Sequence, residues 1–188
     1  MQTFAAHMES LPATDRDAIR GAVQPEVWAS IEGTNPFGWI PASTNLVCTR
    51  AVAARLGPRR TQQFFAGLML SSFETALMKG LVAAVVRVAG RDFAQYLGWV
   101  SKGFGLMYKD CGDWAVTERA QGSATLEVRR LPPDFALDRV WLESSASALG
   151  ALFTLVRIEG AVVLREVDAR EGRAAFKVRW SEERARDD

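Results

Sequence analysis

WAVTE (114–118), a turn at Gly122, ATLEVRR (124–130), LDRVWLESSASALGALFTLVRI (137–158), AVVLREV (161–167), the turn DAREG (168–172) and AAFKVRW (174–180) form the stretch that decides the fold. The first two and last two apolar runs are short, carry β-branched residues and are bounded by turn residues, so they read as two hairpins. Within them the alternation has a period of two: Leu126 and Val128 share one face, and Phe176, Val178 and Trp180 share another, with Lys177 and Arg179 opposite. One apolar and one polar face belongs to an antiparallel sheet with a single buried side. Between the hairpins, Val140, Ser144, Ala148, Ala151, Leu155 and Ile158 recur at helical spacing and predict one long helix covering the apolar face. Trp180 is expected to close that core.

The part before Cys111 reads as helical. Thr14 is placed to cap a helix whose first turn carries Asp15 and Asp17, where negative charge suits the helix dipole. Pro25 opens a further turn through Trp28 and Ile31, and the loop GTNPFG (33–38) follows. A helix is expected over 42–56, a break at Gly57-Pro58, a second helix over 59–89 interrupted near Lys79-Gly80, and a third over 92–109. The fold class expected is therefore α+β: an N-terminal helical half, then a four-stranded antiparallel sheet (β-β-α-β-β) packed on a long helix. The organisation expected is a single domain: N-terminal helices and loop at 1–40, an α+β ligand-binding-like region at 41–180, and a charged tail at 181–188.

At 188 residues the chain is long enough to bury roughly 70% of its unfolded surface without disulfides or a structural metal. A net charge of +1 and interspersed signs argue against a nucleic-acid footprint, which needs a basic excess or stripe. The two cysteines, Cys48 and Cys111, are too few for a disulfide framework and read as reduced thiols of a cytoplasmic protein. The N-terminal residues carry His7 and Glu9 and do not read as a signal peptide. The longest apolar run, 81–89, is broken by Arg87 and falls short of the roughly 20 residues a membrane span needs.

Catalytic chemistry finds little footing. The single histidine, His7, has no motif partner, and nucleophile–histidine mechanisms need one beside the nucleophile. His7, Cys48 and Cys111 lack metal-ligand spacing. Gly103-Phe104-Gly105 lies in a helical context, so it is not a dinucleotide fingerprint. Asp110 and Asp113 beside Cys111 raise its thiol pKa rather than activate it. No catalytic, metal or cofactor-binding residue is assigned. The six tryptophans are a large complement. Trp39, Cys48, Phe64, Trp99 and Phe104 are the residues picked out for an apolar cavity or an interface, where tryptophan is enriched.

AVAARLG (51–57), FFAGL (64–68) and VVRVAG (85–90), with FKVRW (176–180) closing on tryptophan, resemble an uncharacterised paralogous domain family of myxobacteria over about residues 41–180. That family is similar to a wider fold group: haem-based nitric-oxide sensors, the bacterial four-vinyl-reductase domain and vesicle-tethering transport subunits. The resemblance implies a helical part and an antiparallel sheet with a crossing helix. The haem sensors use a proximal histidine in the helical half and a Tyr-x-Ser-x-Arg motif. This chain has no histidine after His7, and Tyr96 and Tyr108 stand outside that motif, so no haem is expected. Some tethering subunits hold a fatty-acyl chain on a cysteine in an apolar tunnel; Cys48 is the residue to compare, without a motif match.

Three readings stand. One is a non-enzymatic sensory or scaffolding module in bacterial signalling, homodimeric, with an apolar cavity for a hydrophobic small molecule. The second is a protein-binding adaptor with a filled core. The third is an enzyme working through carboxylates or an unseen cofactor.

Overall fold

The computed structural model describes residues 2–34, 41–89, 93–99 and 110–184. Three short helices, α1 (Gln2–Met8), α2 (Ala13–Gly21) and α3 (Pro25–Gly33), lie against the long α4 (Ala42–Phe73). Helix α2 begins after Pro12, with no side-chain cap, so Thr14 lies inside its first turn rather than capping it. Pro25 occupies the first turn of α3, where its fixed φ suits a helix start and its missing N–H costs nothing.

Helix α4 is two helices across a break. Gly57 has φ 72° and ψ 171°, and Pro58 restarts the helix. The break expected at Gly57-Pro58 is there. The interruption expected near Lys79-Gly80 is not: α4 ends at Phe73, the chain turns through Glu74 and Thr75, and α5 runs Ala76–Ala89. Phe73 is anchored in a core and Thr75 donates its hydroxyl to the Ser72 carbonyl, so packing ends the helix where no glycine or proline marks it. Residues 93–99 form α6; the rest of the helix expected over 92–109 lies outside the described residues.

The sheet holds β1 (Asp113–Ala120), β2 (Ser123–Arg129), β3 (Ile158–Asp168) and β4 (Arg173–Arg184), in the order β1-β2-β4-β3. Every neighbouring pair is antiparallel. The hairpin turns use Gly122 (φ 66°) and Gly172 (φ 57°), left-handed positions that glycine adopts without a Cβ penalty. Asp168 Oδ1 accepts from the Arg170 and Glu171 N–H groups and tightens the second turn.

The layer between the hairpins is three helices rather than one: α7 (Pro133–Leu137), α8 (Arg139–Gly150) and α9 (Leu152–Val156). Asp138 is extended, at φ −88° and ψ 91°, and caps α8 by accepting the Trp141 N–H at 2.8 Å. Arg157, left-handed at φ 54°, ends α9 and releases the chain into β3. The molecule is thus α+β, a helical half followed by a four-stranded antiparallel sheet packed on helix α8.

Two apolar cores result. The larger joins the inner sheet face (Leu126, Val128, Phe176, Val178) to α8, α9, α6 and both ends of α4. Phe176 is fully buried and stacks on Trp114 at 5.5 Å. Trp180 is only half-buried, edge-on to Phe93 at 5.1 Å, so it flanks the core rather than closing it. The smaller core lies under α1–α3, with Phe4, Ile19, Trp28 and Ile31 against Cys48, Val52 and Phe64 of α4.

Candidate functional site

The break at Gly57 turns the two halves of α4 toward the same space. Asn45 and Thr49, one turn apart on the first half, face α8. Trp141 Nε1 donates to Asn45 Oδ1 at 2.8 Å, and the Thr49 hydroxyl lies 3.4 Å from the same oxygen. Asp138, capping α8 with Oδ1, accepts Arg50 Nε at 2.5 Å with Oδ2. The second half of α4 brings Phe65, Leu68, Met69 and Ser72 opposite. Cys111, just before β1, and Trp114 at its start, with Ser144, Ser145 and Ala148 of α8, complete a cleft of about 80 Å³.

Its walls are mostly apolar, with hydroxyls at intervals. The Ser72 hydroxyl is spent on the Leu68 carbonyl. Ser144 is 4% exposed and makes no side-chain hydrogen bond among the described residues. No side-chain polar atom there is both sealed and unpaired, so the Ser144 oxygen faces the space of the cleft. Among the described residues no Asp, Glu, Lys, Arg or His lines it. The Cys111 thiol is pushed up to about 11, first by burial and then by the Asp110 charge. It is a neutral thiol at physiological pH.

Of the residues picked out from sequence, the three that are described, Cys48, Phe64 and Trp99, do not line this cleft. Cys48 and Phe64 come together in the smaller core, at 1% and 4% exposure. Burial pushes the Cys48 thiol up to about 11. Trp99 sits apart, 43% exposed on α6. Trp39 and Phe104 lie outside the described residues. Sequence reasoning missed Trp114, Trp141 and Ser144. The signals that point to them are the Asn45/Thr49 pair at helical spacing and a serine pair (Ser144, Ser145) inside an otherwise apolar helix.

His7 is committed elsewhere. Its ring lies 4.8 Å from that of Phe64, and its Nδ1 is 3.2 Å from the Ser71 hydroxyl. Burial lowers its pKa, opposed by a backbone hydrogen bond to Phe64. Gly67 makes the room: a Cβ there would stand 3.0 Å from the imidazole. Among the described residues no group of three His, Cys, Asp or Glu side chains is placed to hold a metal.

The outer sheet face carries a second, open concavity of about 360 Å³ over the small Ala175. Glu127, buried in its floor, is held below the usual carboxylate range by the Arg129 guanidinium, with Arg173 adding to the effect. Arg173 also reaches Glu166 at 2.5 Å. Both signs of charge meet there, as on a solvated sheet face. No single helix among the described residues is long and apolar enough to cross a membrane.

No family model matches the chain, and no curated protein matches it. Solved structures do. The Fe(II) unliganded H-NOX protein from K. algicida is 12% identical, with TM-score 0.61, covering 97% of this chain and 94% of that one. An oxygen-binding H-NOX domain related to soluble guanylate cyclases, in its oxygen complex, is 11% identical, with TM-score 0.60, covering 95% of this chain and 91% of that one. The Cs H-NOX protein carrying 4-cyano-L-phenylalanine at site 5 reaches TM-score 0.62 at 11% identity, covering 95% of this chain and 92% of that one. The likeness spans nearly the whole of each chain, and at such identity it is a likeness of fold.

Proposed function

We propose that this chain is a non-enzymatic sensory module in a signalling assembly, taking a small molecule in the cleft between α4, α8 and β1 and passing its occupancy to a protein partner or a second copy. The observation that carries this reading is the cleft itself: two halves of one broken helix, two tryptophans and a serine-bearing helix converge on a space between the two cores. Occupancy there bears on the Asn45–Trp141 and Arg50–Asp138 contacts that join α4 to α8 and its cap.

The module works without haem. Its one histidine is packed against Phe64 and bonded to Ser71, and the neutral Cys111 thiol is a poor ligand for iron. A cleft of about 80 Å³ also falls well below the roughly 300–1,000 Å³ of pockets for larger ligands and cofactors. Native mass spectrometry before and after denaturation tests the reading. A bound mass released on denaturation supports it.

The adaptor reading is favoured by the modest size of the cleft. Under it the same experiment returns a bare protein mass, and the interior is a filled scaffold.

A further inference from the structure

We infer that the cleft selects a short, neutral molecule with one hydrogen-bonding group, of the class of small aliphatic alcohols, and that Ser144 anchors it; this rests on the sensory reading above. Three observations carry it. First, the Ser144 residue is 4% exposed, its hydroxyl makes no side-chain hydrogen bond among the described residues, and that hydroxyl opens on the cleft. A hydroxyl that opens on an apolar cleft offers both a donor and an acceptor, and a ligand hydroxyl pairs with it. Second, the lining holds no charged side chain among the described residues, so a carboxylate or ammonium entering it meets no counter-charge from them and loses its hydration. Third, the cleft holds about 80 Å³, enough for a few heavy atoms rather than a drug-sized body, with Phe65, Met69, Trp114 and Ala148 as its apolar wall. An apolar body, a polar head and no charge describe a short alcohol.

The experiment is an amide-resolved NMR titration of the full chain with three probes: 1-propanol, propanoate and xenon. The expected result is saturable shifts with 1-propanol at the amides of Thr49, Ser72 and Ser144, and none with propanoate. Ser144→Ala should weaken 1-propanol about tenfold, the effect of one lost hydrogen bond. Ser147→Ala should change nothing, since that hydroxyl is spent on the Glu143 carbonyl. Ala148→Leu, which fills the cleft, should abolish binding. If xenon moves the same amides but 1-propanol does not, or Ser144→Ala has no effect on it, the cleft is merely apolar and the ligand class is wrong while the sensory reading stands. Propanoate binding as well as 1-propanol overturns the neutrality argument. If no probe enters, the inference and the cleft-based reading fall together.

Discussion

Phe176 and Trp180 sit on the same face of β4, yet they do different work. Phe176 is sealed on the inner face and stacks on Trp114, so Phe176→Ala should cost about 3–5 kcal/mol, as deletion of a buried aromatic does. Trp180, only partly buried at the edge of the core against Phe93, should cost less on truncation. Urea midpoints of the two variants measure the order, and the reverse order would return the closing role to Trp180. Asp15 makes a pH-dependent contribution. Hydrogen bonds from Arg60 and Arg55 hold its carboxyl below the usual carboxylate range. A depressed folded pKa gives stability that is present above the unfolded value, about 3.9, and lost as pH falls through the folded one. Asp15→Asn should therefore lose stability at pH 7 and show a smaller further loss between pH 5 and pH 2 than the parent chain. Residue identity alone left these roles unread. The wealth of tryptophan was legible, but Trp114 and Trp141 could be told from Trp28 and Trp180 only once the helices and sheet were in place.

At the scale of elements, glycine and proline were readable and packing was not. Gly57-Pro58 marks the break in α4 because that φ/ψ pair is open to glycine alone and proline restarts a helix readily. The end of α4 at Phe73 carries no such mark; a core contact decides it. The split at Asp138 was legible in principle, since an aspartate before an apolar run is a capping signal, but the apolar period around it reads as continuous. Gly57→Ala tests what the break does. A Cβ there meets nothing within 4 Å, so the cost is backbone strain, about 1–3 kcal/mol. Strain that re-aims the second half of α4 should also widen the gap between Phe65–Ser72 and α8. The check is a lowered melting temperature together with amide shifts at Ser144 and Ser145, far in sequence from the substitution. Shifts limited to the residues beside position 57 would mean that the two halves of α4 hold their places without the glycine.

The whole molecule raises the question of whether two cores make two folding units. The layout was legible because a period of two and a period near 3.6 are written into separate parts of the chain. The cleft was not, because it is assembled from residues such as Asn45 and Trp141, 96 positions apart. Those same long-range contacts predict cooperativity. Helix α4 supplies Leu46, Met69 and Phe73 to the larger core and Val52, Leu56 and Phe64 to the smaller. Neither core can lose its share of α4 without stripping apolar surface from the other. The Arg50–Asp138 pair and the Trp141–Asn45 hydrogen bond fasten the arrangement from the side of α8. Calorimetry should therefore show one transition whose calorimetric and van't Hoff enthalpies agree. Trp141→Phe keeps the ring in the core but removes the donor to Asn45, so it should destabilise by about 0.5–1.5 kcal/mol. For a chain of this length that lowers the melting temperature by roughly 2–4 °C per kcal/mol, without splitting the peak. Two resolved peaks in the parent chain would instead make α1–α3 and the α+β region independent units, with the boundary near residue 41 acting as a true domain junction. The variant would then move the two peaks unequally.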